Sequence, residues 1–235
     1  MAIWLLFLAN SVLSKLPDPD LGVYYKAETV DAFLTEIKAQ NSSVVTLTET
    51  GDFKYIILNT KAYPNNTLPT TVFVGSMHGG FPFTTYSVLY YLDKLVNGYN
   101  KDTKEGRDIK YIVDTTQFIF IPIANYLAYS ETERLYNSSK SFTAIYTGLE
   151  GTDWNCTENE FAGINPDYNF PIGFVKGDNK CSDSGYTGDS SLTSEITKFL
   201  NKITTDFSPN VIFSFQQESK SGHIVYSNNS KFSYN

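Results

Sequence analysis

An acidic chain of 235 residues with a net charge of −7 gives a nucleic-acid backbone no electrostatic reason to bind, which sets DNA and RNA aside. Its length fits one domain with a sizeable core, and a make-up of 41% hydrophobic and 18% charged residues is that of a globular protein. No internal repeat is present. The 17 tyrosines and 17 phenylalanines supply large apolar bodies, the tyrosines with a polar tip suited to pockets and contact surfaces.

The chain opens MAIWLLFLANSVLSKLPDPD. The apolar run from Ile3 to Leu13 is too short to cross a bilayer, so no transmembrane span is expected. With small Ser14, polar Lys15 and a proline-rich entry behind it, the run has the layout of a secretory signal cut after Ser14. Its front carries no Lys or Arg, and a buried N-terminal helix is the alternative. Residues 1–14 are therefore read as a signal peptide and 15–235 as one domain.

Further along, Val30, Phe33, Leu34 and Ile37 recur at helical spacing over 27–39. Residues 53–58 and 71–75 are short β-rich runs bounded by turn residues. Over 84–97, Val88, Leu92, Leu95 and Val96 share a helical face. Residues 117–123 (QFIFIPI) form a continuous apolar run suited to a strand buried on both faces. Ile196, Phe199, Leu200 and Ile203 predict a helix over 192–204, and 210–215 predicts a second buried strand. Strands alternating with helices imply an α/β fold with a central sheet flanked by helices. Between 126 and 190 no periodic element stands out, and loops of that length are usually functional.

The two cysteines, Cys156 and Cys181, lie inside that stretch. In a secreted protein an even pair reads as a disulfide, stabilising by roughly 3 kcal/mol on the chain-entropy estimate. In a cytosolic protein they would be two free thiols. Five Asn-x-Ser/Thr sequons, at Asn41, Asn65, Asn137, Asn155 and Asn228, offer glycan acceptors in polar surroundings. Together with the leader they point to a secreted or extracellular glycoprotein.

Five segments, in order, resemble the zinc carboxypeptidase A/B family. TVFVGSMHGGFPFTTYSVLYYLDKLV is similar to the family's strand, metal-binding His-x-x-Glu turn and following helix. QFIFIPIANYLAY resembles the strand ending in Asn-Pro-Asp-Gly-Tyr. DWNCTENEFAGINPDYNFPIGF resembles the segment Gly-Val-Asp-x-Asn-Arg-Asn-Phe/Trp. CSDSGYTGDSSLTSEITKFLNKI is similar to the Cys-Ser-x-x-Tyr-x-Gly turn and Ser-Glu helix, and NVIFSFQQESKSGHIVYS to the strand bringing the last zinc ligand, a His. The likeness covers roughly residues 24–230. It implies a mixed central sheet with an active site at strand ends, a Cys156–Cys181 disulfide, and a domain incomplete at its C-terminus.

The same resemblance implies damage to the chemistry. His78 occupies the first zinc-ligand position, Phe81 stands at the Glu position and Gln216 at the second His. Phenylalanine has no donor atom and an amide carbonyl is a poor zinc ligand, whereas catalytic zinc takes three protein ligands. The handhold for a peptide's C-terminal carboxylate, an Asn-Arg pair in the family, aligns with Asp167 and Tyr168. Asp167 repels a carboxylate where Arg would grip it in two-pronged fashion. The position of a further family arginine falls near Asn137 or Lys140, and Arg134 aligns with a non-catalytic neighbour.

The implied reading is a secreted pseudo-enzyme with no cofactor, whose old cleft binds a peptide or protein partner or which serves a structural role. The alternative is an active zinc peptidase releasing C-terminal amino acids, with ligands displaced to Glu218 or His223. Taken without the family, His78 reads as a hydrogen-bonded residue before a Gly-Gly turn, and His223 as a solvent-facing loop residue. Glu131, Glu133, Glu158 and Glu160 read as surface charges. No phosphate-binding loop and no Gly-x-Ser-x-Gly elbow is present.

Overall fold

The computed structural model describes residues 15–19, 25–60, 68–78, 82–139, 164–178 and 186–215. The predicted first helix forms as α1 (Ala27–Gln40), burying the stripe Val30, Phe33, Leu34 and Ile37. A hairpin follows, β1 (Val45–Thr50) and β2 (Phe53–Leu58), turning on Gly51 and Asp52. Gly51 sits at φ +58°, the left-handed conformation that two-residue hairpin turns demand and that glycine adopts without strain.

After β3 (Thr70–Val74) come α2 (Pro82–Tyr99) and α3 (Lys104–Thr115). Thr103 caps α3, its Oγ1 accepting from the Gly106 amide at 3.0 Å. The two helices meet closely because a Cβ on Gly98 would lie 2.3 Å from Ile109 Cδ1. Next are β4 (Gln117–Ile121), α4 (Tyr126–Ser139), a short 3-10 turn (Pro166–Tyr168), α5 (Glu195–Phe207) and β5 (Val211–Ser214).

The five strands form one mixed sheet in the order β1-β2-β4-β3-β5. β1, β2 and β4 pair antiparallel, while β3 runs parallel to both β4 and β5. Alternation along the strands sorts the core into two layers. Phe73, Phe118 and Phe120 point to the face covered by α1, α2 and α3. Val72, Val74, Ile119 and Ile121 point to the other, where α5 lays down Ile196, Phe199, Leu200 and Ile203. Phe199 stacks on Phe53 with centroids 4.2 Å apart.

Three elements escape the sequence pattern. β1 and α3 carry too few apolar residues to stand out, and α4 occupies a stretch read as loop. α4 is set by Asn125, whose Oδ1 accepts from the Ala128 amide at 3.1 Å. It is tied to α1 by Glu133, which accepts from the Ala27 amide at 3.1 Å, so this carboxylate is a helix cap and not an idle surface charge. The expectation of burial holds for β4, every residue of which is buried, but not for β5. All four residues of β5 are exposed among the described residues, where β5 has β3 as its one neighbouring strand.

Candidate functional site

Parallel strands β3, β4 and β5 end at the same margin of the sheet. From β3 the chain moves over one face into α2. From β4 it first enters α4, which is tied to α1; after a stretch outside the described residues it reaches α5 on the opposite face and returns as β5. The carboxyl ends of β3 and β4, with α2 on one face of the sheet and α5 on the other, form the crevice where ligands settle in open α/β sheets.

A tight turn leads into that crevice. Gly75 donates to the Ile121 carbonyl at 2.9 Å and accepts from the Ala124 amide at 2.9 Å. A Cβ here would lie 2.6 Å from the Pro122 carbonyl oxygen, so only glycine fits. Ser76 adopts φ +47°, costing about 1–2 kcal/mol for a residue with a side chain. Its hydroxyl lies 2.7 Å from Thr85 Oγ1 and 3.2 Å from Thr84 Oγ1, and Thr84 also accepts from the Ser76 amide. Asn125 completes the frame, its Nδ2 donating to the Met77 carbonyl at 3.2 Å. The product of all this is a fixed place for His78.

Opposite His78 stands the 3-10 turn. His78 Nε2 and Asp167 Oδ2 are 3.0 Å apart, with side chains 28% and 33% exposed. Asn165 caps the turn by accepting from the Asp167 amide at 2.9 Å. Behind it lies Asn169, fully buried, which ties three segments together. Its Nδ2 donates to the carbonyls of Thr187 (2.7 Å) and Ser190 (2.9 Å), and its Oδ1 accepts from the Ser194 amide (3.0 Å) and Thr197 Oγ1 (2.7 Å). Through Asn169 the loop carrying Asp167 is hung on the start of α5.

The profile of the zinc carboxypeptidase family matches residues 30–234, nearly the whole chain. The chain belongs to the zinc carboxypeptidase family. Solved structures agree in fold. Carboxypeptidase A from Helicoverpa armigera superposes with a TM-score of 0.63 at 18% identity, covering 81% of this chain and 45% of its own. Thrombin activatable fibrinolysis inhibitor gives a TM-score of 0.62 at 11% identity, covering 87% of this chain and 51% of its own. The bovine form of that inhibitor, solved with tick carboxypeptidase inhibitor, gives 0.56 at 11%, covering 81% and 60%. This member of the family thus spans about half the length of the first two solved relatives. A search of curated protein sequences gave no significant match.

His78 and Asp167 lie side by side, and Tyr168, next in the chain, is exposed. Asn137 lies in the last turns of α4. Sequon Asn41 caps α1, its Nδ2 donating to the Ile37 carbonyl at 3.1 Å. Phe81, Gln216, Glu218, His223, Cys156, Cys181 and the sequons Asn65, Asn155 and Asn228 lie outside the described residues. The end of β5 reaches the same margin: Phe215 N donates to Val74 O at 2.9 Å, and Ser214 Oγ lies 3.5 Å from Met77 Sδ.

Family membership implies zinc. Among the described residues no group of three or more His, Cys, Asp or Glu is placed to hold a metal. His78 has a carboxylate neighbour in Asp167, one imidazole and one acid where three ligands are required. The two described donors fall short of that number, and the other family positions, Phe81 and Gln216, lie outside the described residues. No helix among the described residues is long and apolar enough to cross a membrane. Asn169 and Asn125 are the positioning residues that sequence reading missed. The signal for Asn125 was an asparagine directly before Tyr-Leu-Ala, a helix-capping pattern.

Proposed function

We propose that this chain is a secreted, glycosylated carboxypeptidase-like pseudo-enzyme that binds a peptide or protein partner in its former substrate cleft, or serves structurally, without metal chemistry. The observation that carries the reading is the pairing of His78 with Asp167. The imidazole at the first ligand position is engaged by a carboxylate from the loop that, in the family, grips the substrate. At the other two ligand positions, Phe81 brings no donor and Gln216 only an amide. Asp167 and Tyr168 replace a cationic clamp with a negative charge and an exposed phenol, which removes the attraction for a C-terminal carboxylate. Secretion is supported by the apolar leader, the Cys156–Cys181 pair and the five sequons.

A second reading keeps zinc. β5 ends beside the turn that presents His78, and Glu218 and His223 follow β5 closely in sequence. Ligands displaced along that segment would rebuild a site from one imidazole, one carboxylate and a second imidazole.

The deciding experiment is elemental analysis of the purified secreted protein for zinc after dialysis, with an assay for release of C-terminal amino acids. The pseudo-enzyme reading expects neither zinc nor release. Near-stoichiometric zinc would overturn it and turn attention to Glu218 and His223 as ligands.

A further inference from the structure

A second pocket lies beside the crevice and makes no use of the His78–Asp167 pair. It opens where three elements meet. The β1–β2 turn brings Asp52 and Phe53, the entry to α4 brings Asn125 and Leu127, and the start of α5 brings Glu195 and Ile196. Its volume of about 180 Å³ is below the range of about 300–1,000 Å³ that takes a whole small molecule, so it has room for one side chain. Asn125 joins the pocket to the crevice, because the side chain that lines it also donates to the Met77 carbonyl, beside His78. Apolar walls come from Phe53, Leu127 and Ile196, and carboxylates from Asp52 and Glu195. Asp52 is exposed and has no hydrogen-bond or ion-pair partner among the described residues. Glu195 pairs with Lys198 of its own helix and stays 45% exposed. Lys54, the nearest cation to Asp52 along the chain, is taken by Asp31. The starts of α4 and α5 each bring about half a positive charge, which two full carboxylate charges outweigh.

We propose that this pocket seats a basic side chain of a peptide partner, its stem against Phe53, Leu127 and Ile196 and its charged head met by Asp52 and Glu195. The proposal rests on the reading that the former cleft holds a peptide, and it adds what that peptide carries. Lysine and arginine suit the lining because each sets a charged tip on an apolar stem. An acidic side chain would meet two like charges, and a purely apolar one would leave both carboxylates without a partner. The net charge of −7 draws a basic partner toward the chain before contact.

The test titrates the isotope-labelled full chain at low salt with alanine–X–alanine peptides, acetylated at one end and amidated at the other, and follows backbone amides by NMR. X is lysine, norleucine (the same stem without the charge) or glutamate. The lysine peptide is expected to shift the amides of Asp52, Leu127 and Ile196, and the other two to bind at least about tenfold more weakly. Combining Asp52→Asn with Glu195→Gln should weaken the lysine peptide by about tenfold at an unchanged melting temperature. If the pair lowers the melting temperature, Asp52→Asn alone, in the exposed turn, carries the comparison. Equal binding of the norleucine peptide, tighter binding of the glutamate peptide, or undiminished binding to the variant overturns the proposal. Shifts at His78 and Asp167 with none at Asp52, Leu127 and Ile196 also overturn it, while leaving the cleft reading intact. Shifts at the pocket alone uphold the pocket and count against the cleft.

Discussion

Replacing Asn169 by alanine tests how the candidate site is held. Four hydrogen bonds end on this fully buried side chain. Thr197 Oγ1 keeps a partner in the Ser194 carbonyl at 2.9 Å, and the Ser190 carbonyl belongs to an exposed residue that water reaches. The Thr187 carbonyl and the Ser194 amide are left stranded, at about 1–3 kcal/mol each, so a loss of about 4 kcal/mol is expected. With a urea dependence of about 2–3 kcal/mol per molar, the unfolding midpoint falls by about 1.5 M. Asn169→Asp sharpens the test. The new carboxyl would face two carbonyls in a buried place, so its folded pKa lies above its unfolded one. Stability is then retained below the unfolded value and lost as pH rises through the folded one: near wild type at pH 4, destabilised at pH 7. A midpoint shift below about 0.5 M for the alanine variant, or pH-independent behaviour of the aspartate variant, would refute the hub argument.

Gly75→Ala should destabilise by about 1–3 kcal/mol, because its Cβ meets backbone oxygens of Pro122 and Thr84 that cannot swing away. Gly51→Ala meets nothing within 4 Å and should cost only the left-handed backbone penalty of about 1 kcal/mol; denaturation curves rank the two. Phe199→Ala opens the α5 face of the core, where the ring stacks on Phe53, and should cost about 3–5 kcal/mol in the same measurement. On the glycoprotein reading, Asn41→Gln should remove one glycan's mass from the secreted protein, seen by intact mass spectrometry, and an unchanged mass would strike that sequon out.

The sequence made the layered fold legible where burial is strongest. The stripe on α1, the apolar run of β4 and the stripe on α5 each announce an element, because a face that must be buried shows in the spacing. α3 was hidden because it buries little beyond Gly106, Ile109 and Val113. α4 was hidden because hydroxyl-bearing residues fill it, with Ser130 and Thr132 donating back to the carbonyls of Tyr126 and Ala128. β5 reads as buried because hydrophobicity alone does not say whether a strand has neighbours on both sides. At the site, the identity of His78 was plain but its partner was not. The approach of Asp167 depends on Asn169 and Asn165, polar residues whose hydrogen bonds reach across segments and leave no periodic trace.

The placement of β5 also bears on the order of assembly. β1 and β2 are joined by a two-residue turn and pair along their whole length, so their contacts close quickly. β5 must instead find β3 across most of the chain: Thr70, the first residue of β3, and Asn210, just before β5, exchange hydrogen bonds at 2.8 and 2.9 Å and are 140 positions apart. Loop closure over that distance comes before any reward from pairing, which makes this parallel contact slow to form. The hairpin is therefore expected to form early, and the crevice, whose margin includes the end of β5, to be completed late.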